Sequence, residues 1–164
     1  MKIGFIGCGN MASAMIGGII KNQVTAPADI LASAKTAASR EKKKEELGIA
    51  LTADNREVAG FADVLILAVK PFYYKEVIKE IRDVVSEDTI VVSIAPGKKL
   101  AWMEGLFEKP LKIVRTMPNT PALVGEGMSC VCGNEKCSSE DVDTVCRIFT
   151  GFGKTEIVEE DMID

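Results

Sequence analysis

Three groups of residues in this sequence have the types and spacing to line a ligand site, the first two of them suited to phosphates. The first is Gly7-Cys8-Gly9-Asn10-Met11-Ala12, directly after the apolar run Ile3-Gly4-Phe5-Ile6 and before a helical pattern. In a strand–turn–helix setting each small residue has its own task. Gly7 permits the tight turn, Gly9 leaves the backbone bare where a pyrophosphate would approach, and Ala12 lets the helix pack closely on the strand. The start of that helix offers N–H groups and a partial positive charge to phosphates. The plainer reading is a glycine-rich turn that merely suits a buried strand–helix junction. Strand, turn and helix together favour nucleotide binding.

The second group is Ser33-Ala34-Lys35-Thr36, at the end of a predicted second strand. An acidic residue about 20 positions past the glycines normally holds the adenosine ribose of NAD there. No Asp or Glu is present, and Asp29 lies at the wrong end of the strand. The Ser33 and Thr36 hydroxyls and the Lys35 cation suit a 2′-phosphate instead, which favours NADP over NAD. Lys35 also reads as a solvated residue opening a basic helix, with Arg40, Lys42, Lys43 and Lys44 on its exposed face. The third group comprises Ala68-Val69-Lys70-Pro71, Ser93-Ile94-Ala95 and Arg115-Thr-Met-Pro118-Asn119-Thr120-Pro121-Ala122, followed by Gly125-x-Gly127-Met128. Each follows a predicted strand at its carboxyl end, where open α/β sheets bind ligands.

The elements that must position these residues alternate along the chain. Ile3 to Ile6 reads as a buried strand and Met11 to Asn22 as a helix, which Gly17 and Gly18 weaken while letting it lie close to a sheet. Asp29 to Ser33 is a strand, Lys35 to Gly48 a charged helix stopped by its glycine, and Ile49 to Thr52 a brief strand. Asp54 is a candidate N-cap for a short helical turn. Asp63 to Val69 and Thr89 to Ser93 are apolar without alternation, as strands buried on both faces are. Between them Phe72 to Val85 reads as an amphipathic helix, with Val77, Ile78, Ile81, Val84 and Val85 on one stripe. Lys99 to Phe107 is helical, and Lys112 to Met117 and Met128 to Cys132 are strands. Ser138 or Ser139 caps a helix from Glu140 to Phe149, and Thr155 to Val158 is the last strand. The fold class expected is α/β: a doubly wound, mostly parallel Rossmann-type sheet with helices on both faces, forming one domain over 1–164.

Composition narrows the chemistry. A chain of 164 residues, 47% hydrophobic and 27% charged, can bury a sizeable core. Its net charge of −4 argues against nucleic acid as a partner. No apolar run approaches the ~20 residues needed to span a bilayer, and Gly7 and Gly9 interrupt the only run resembling a signal peptide. The expected compartment is the cytoplasm. Histidine is absent, which excludes Ser-His-Asp and Cys-His catalysis and histidine-containing metal sites from these residues. The five cysteines, Cys8, Cys130, Cys132, Cys137 and Cys146, lack the CxxC pairs of a zinc site. Reduced, mostly buried thiols are the better reading, and no metal is expected.

The glycine fingerprint, Asp54-Asn55, Ala68-Val-Lys-Pro71, Ser93-Ile-Ala95 and the Met117-Pro-Asn-Thr-Pro121 stretch together resemble, in order and over all 164 residues, the pyrroline-5-carboxylate reductase family, the last enzymes of proline synthesis. The Met117–Pro121 stretch is the most specific part. The resemblance implies an oxidoreductase that uses NADPH to reduce a cyclic imine, 1-pyrroline-5-carboxylate, to L-proline. It places Ile6, Gly7, Cys8, Gly9, Asn10 and Met11 against the pyrophosphate, Ser33 and Lys35 near the 2′-phosphate, and Asn55 on the adenosine side. It sets Ala68, Val69, Lys70, Pro71, Ser93, Ile94 and Ala95 around the nicotinamide half, and Pro118, Asn119 and Thr120 on the substrate side. Phe72 and Pro96 depart from the family pattern, which has a polar and a small residue there. The resemblance also implies a further helical domain that binds substrate and forms a homo-oligomer, so that these 164 residues alone would be inactive. No residue is singled out as catalytic acid or base; Asn119 and Lys70 are candidates only for testing. A related NADP reductase of another substrate and a non-catalytic nucleotide-binding module are the alternatives.

Overall fold

Gly7, Gly48 and the cap residues Thr36, Asp54 and Ser138 punctuate the chain into short elements that stack as one sheet between two helical layers. The computed structural model describes residues 1–118 and 127–163. The strands are β1 (Ile3–Ile6), β2 (Ile30–Ser33), β3 (Ala50–Thr52), β4 (Val64–Leu67), β5 (Ile90–Ser93), β6 (Lys112–Met117), β7 (Gly127–Gly133) and β8 (Gly153–Ile157). The helices are α1 (Asn10–Lys21), α2 (Ala37–Leu47), α3 (Asn55–Phe61), α4 (Tyr74–Ile81), α5 (Leu100–Phe107) and α6 (Ser139–Phe149). Short 3-10 turns cover Pro27–Asp29, Pro71–Tyr73 and Glu160–Met162.

The strand order is β3-β2-β1-β4-β5-β6-β7-β8, and every neighbouring pair is parallel except β6 and β7. The chain winds outward from β1 to β3, then crosses back to β4 on the other side of β1. That reversal opens a crevice at the carboxyl ends of the strands. The expected doubly wound α/β sheet is what forms. β1, β2, β4 and β5 are buried along their whole length, because α1 and α6 cover one face and α3, α4 and α5 the other. Ile3, Phe5, Ile16, Ile19, Ile148 and Phe149 are in the first core; Ile6, Leu67, Val58, Ile78, Ile81 and Phe107 are in the second.

The predicted caps operate. The Thr36 hydroxyl accepts from the Ser39 N–H at 3.1 Å, and Gly48 ends α2 in the left-handed region. Asp54 accepts from the Arg56 N–H at 2.9 Å. Ser138, rather than Ser139, caps α6 in a reciprocal box with Asp141. Each such cap contributes about 1 kcal/mol.

Two expectations are corrected. The helix predicted from Phe72 to Val85 divides into a 3-10 turn, closed by the Tyr73 N–H on the Lys70 carbonyl at 2.9 Å, and a shorter α4 that ends at Ile81, where the Val84 N–H turns back to the Ile81 carbonyl at 2.9 Å. Arg40, assigned to the exposed face of α2, turns back to donate from Nη1 to the Ala34 and Lys35 carbonyls at 2.8 and 3.0 Å. It thereby fixes the loop that carries Lys35. Asn119, Thr120, Pro121 and Gly125 lie outside the described residues.

Candidate functional site

The glycine turn is built where β1 meets α1. Gly7 has φ +96°, in the region that favours glycine, and a Cβ on it would come 3.0 Å from the Ala68 carbonyl carbon and oxygen. A larger residue is barred both by conformation and by the loop that follows β4. Gly9 N-caps α1, and a Cβ there would meet no atom within 4 Å. The space it leaves belongs to a cleft. Among the described residues no side chain caps α1, so the first N–H groups of the helix face that space without a side-chain acceptor.

A short relay fixes the turn. The Gly7 N–H donates to Ser33 Oγ at 3.1 Å, and the Ser33 hydroxyl donates to Asn55 Oδ1 at 2.6 Å. The Ala68 N–H donates to the Ile6 carbonyl at 2.8 Å. The ends of β1, β2 and β4 and the start of α3 are thus held by three hydrogen bonds. Ser33 is only 3% exposed. Its hydroxyl serves the turn first and has one acceptor position left for anything in the cleft.

The cleft occupies about 820 Å³ across the carboxyl ends of the parallel strands, within the range of ligand-binding clefts, roughly 300–1,000 Å³. Gly7, Cys8, Gly9, Asn10 and Met11 form its floor at α1. Ser33, Lys35 and Asn55 form one end. Ala68, Val69, Lys70, Pro71, Ile94 and Ala95 form the opposite wall, with Pro118 beyond them. Ile6 and Ser93, expected beside these residues, are fully buried at the ends of β1 and β5, where the Ile6 carbonyl accepts from the Ala68 N–H and the Ser93 hydroxyl from the Ala95 N–H.

The end of β2 carries one cation and no carboxylate, and Asp29 is in the 3-10 turn before the strand. Lys35 Nζ lies 4.3 Å from the centroid of the Tyr73 ring, a cation–π contact of about 0.5–1 kcal/mol at an exposed position. Phe72 is 73% exposed and its ring centroid is 4.5 Å from that of Tyr73. Tyr73, Glu76 and Glu80 also line the cleft, and the sequence reading missed them. No motif marks them; only the 3-10 turn brings Tyr73 around to face Lys35.

Two titratable groups in or beside the cleft are displaced. Burial pushes the Cys8 thiol up, against smaller opposing effects from the Ser13 hydroxyl and Lys43, so Cys8 stays a neutral thiol rather than a nucleophile. Burial likewise pushes the Tyr74 phenol up to about 12, against hydrogen bonds from Ser93 and from the backbone at Ile94 and Ala95. A signal for Tyr74 existed. It is spaced three and four residues from Val77 and Ile78, on the apolar stripe, and a buried phenol must find partners. Among the described residues no group of three or more Cys, Asp or Glu side chains is arranged to hold a metal ion.

Comparison with known proteins adds four findings. A family model described as NADP oxidoreductase coenzyme F420-dependent matches residues 2–97. The pyrroline-5-carboxylate reductase of Escherichia coli (strain K12) is 40% identical over 162 residues, 99% of this chain and 60% of that protein. Among solved structures, a pyrroline-5-carboxylate reductase from Coxiella burnetii superimposes with a TM-score of 0.94 at 36% identity, over 99% of this chain and 60% of the other. The pyrroline carboxylate reductase of Plasmodium falciparum, solved with NADP bound, gives 0.88 at 31% identity, over 99% and 59%. This chain spans about three fifths of the length of these relatives.

Proposed function

The chain belongs to the NADP oxidoreductase family matched over residues 2–97, and from that premise we propose that it is the cofactor-binding part of an NADPH-dependent reductase of 1-pyrroline-5-carboxylate, yielding L-proline. The substrate assignment is supported by likeness to pyrroline-5-carboxylate reductases along 99% of the chain. The cofactor assignment rests on one observation. The bare backbone at Gly9 and the cation of Lys35, at a strand end without a carboxylate, face a single cleft.

The residues present fit the dinucleotide. Gly7 to Met11 and the uncapped start of α1 would receive the pyrophosphate. Lys35 would pair with the 2′-phosphate and Asn55 would lie beside the adenosine. Ala68 to Pro71 and Ile94 to Ala95 would enclose the nicotinamide half, with Pro118, Asn119 and Thr120 toward the substrate. When bound, NADPH supplies a hydride to the C=N carbon of the imine. What this chain contributes is orientation and exclusion of water, with no side chain assigned to proton transfer. The working protein is proposed to be a homo-oligomer assembled through a helical domain corresponding to the remaining length of its relatives. A reducing cytoplasm suits five unpaired thiols.

The test is NADPH oxidation with pyrroline-5-carboxylate, followed by absorbance. The 164-residue chain should bind NADPH without turnover, since one wall of the reacting pair is left open. The same chain joined to the remaining two fifths of the Escherichia coli relative should turn over. Turnover by the 164 residues alone would place the substrate site within them. A fusion that binds NADPH yet leaves the imine untouched would count against the substrate.

A further inference from the structure

The strands β4 and β5 separate at their carboxyl ends, and a single hydroxyl occupies the gap. At the other end of this parallel ladder the Ile90 N–H donates directly to the Asp63 carbonyl at 3.0 Å. Parallel rungs repeat every second residue, so two steps further on the Ile94 N–H would meet the Leu67 carbonyl. Register supports this, since pairing runs from Val64 with Ile90 to Leu67 with Ser93. The rung does not close directly. The Tyr74 hydroxyl stands inside it, accepting from the Ile94 N–H at 3.3 Å and donating to the Leu67 carbonyl. The Ser93 hydroxyl donates to the Tyr74 hydroxyl oxygen at 3.4 Å and accepts from the Ala95 N–H at 3.3 Å. Every hydrogen-bonding position of the phenol is thereby used.

Tyr74 opens α4 and is fully buried in the core on the face of the sheet that α3, α4 and α5 cover, so the start of the helix directs its hydroxyl to the ends of the two strands. The loops that continue from the rung are Ala68 to Pro71 after β4 and Ile94 to Pro96 after β5, and both line the cleft. The Thr116 hydroxyl donates to the Ser93 carbonyl at 2.8 Å, which ties the spread position to β6.

We infer that Tyr74 is a positioning residue whose inserted hydroxyl sets the spacing of the 68–71 and 94–96 loops, and with it the width of the cleft where the nicotinamide half of the dinucleotide binds. The inference rests on the cofactor reading above and names a residue that does not itself touch the ligand. With phenylalanine at 74, the Ile94 N–H and the Leu67 carbonyl are left to close on each other. The two loops then approach, while the end of the cleft at Ser33, Lys35 and Asn55 is untouched.

The test compares two ligands on three proteins by calorimetry: NADPH and adenosine 2′,5′-diphosphate, which carries only the adenosine half, with the unmutated chain, Tyr74→Phe and Thr89→Val. The Thr89 hydroxyl donates to the Ala62 carbonyl at 3.2 Å, at the amino end of β5, so its loss removes a buried hydrogen bond far from the cleft. Tyr74→Phe should weaken NADPH about tenfold and leave adenosine 2′,5′-diphosphate within twofold; Thr89→Val should leave both unchanged. Equal losses for both ligands in Tyr74→Phe, or no loss for NADPH, overturns the inference. Adenosine 2′,5′-diphosphate failing to bind the unmutated chain overturns the cofactor reading itself, and this inference with it. A second readout needs no variant. The Ile94 amide and the Tyr74 hydroxyl proton should shift in magnetic resonance spectra on adding NADPH but not adenosine 2′,5′-diphosphate, and an absent NADPH shift overturns the proposal.

Discussion

Ser33 and Lys35 are two residues apart at the end of β2 and do different work. Ser33 joins Gly7 to Asn55 through its buried hydroxyl; Lys35 presents a charge to the cleft and rests against Tyr73. Substitutions should separate them. Lys35→Ala should lower NADPH affinity by about 1.5–3 kcal/mol, the worth of a charged hydrogen bond, and scarcely change NADH. Ser33→Ala should leave the Gly7 N–H and Asn55 Oδ1 unsatisfied, cost about 1–3 kcal/mol of stability, and weaken both cofactors alike. Paired titrations of each variant decide it, and a preference altered by Ser33→Ala alone would reverse the assignment. The cation at 35 and the missing carboxylate were legible, because both are matters of residue type at a strand end. That the Ser33 hydroxyl is committed to Gly7 and Asn55 was not, because its partners are 26 and 22 residues away.

Local chemistry governs the elements, and their punctuation was readable: Thr36, Asp54 and Ser138 cap helices, and Gly48 stops one. Their approach to one another was less so. Gly17 and Gly18 look equivalent in sequence, yet only Gly18 is pressed against a neighbour. A Cβ on it would collide with the Gly151 carbonyl, whereas one on Gly17 would meet nothing. Asn22 stitches the same place, donating from Nδ2 to the Gly18 and Gly151 carbonyls at 3.0 and 2.7 Å. Gly17→Ala should therefore stabilise the chain by about 0.5–1 kcal/mol, and Gly18→Ala should destabilise it by about 1–3 kcal/mol. Thermal melts giving the same sign for both would contradict this packing. The cap of α6 makes a prediction about pH. Burial raises the Asp141 carboxyl, but hydrogen bonds from the Ser138 N–H at 2.8 Å and Lys112 Nζ at 3.2 Å outweigh it and hold it below the ordinary carboxylate value. A group depressed in the folded state contributes stability that is present above its unfolded pKa, about 3.9, and lost as pH falls through the folded value. Below about pH 4 the unmutated chain should lose stability more steeply than Asp141→Asn; coincident slopes would count against the cap.

On the scale of the whole molecule, one reversal of winding beside β1 makes the cleft, and distant segments close around it. The doubly wound sheet was legible because its inner strands are apolar on both faces, which only a parallel sheet covered by helices accommodates. The last turn was not. Glu160 accepts from the Leu100 N–H at 2.6 Å and from Nη1 of the fully buried Arg115 at 3.3 Å, an anchoring that no local pattern encodes. Nor could a sequence pattern show a tyrosine hydroxyl inside a ladder rung. Lys35, at a strand end without a carboxylate, suits the cleft to a 2′-phosphorylated dinucleotide. The measurement that tests it most directly is calorimetric titration of the chain with NADPH and, in parallel, with NADH. The account predicts saturable one-to-one binding of NADPH, about tenfold or more tighter than NADH, a margin of roughly 1.4 kcal/mol or more. Equal affinity for the two, or no saturable binding of NADPH, would contradict it.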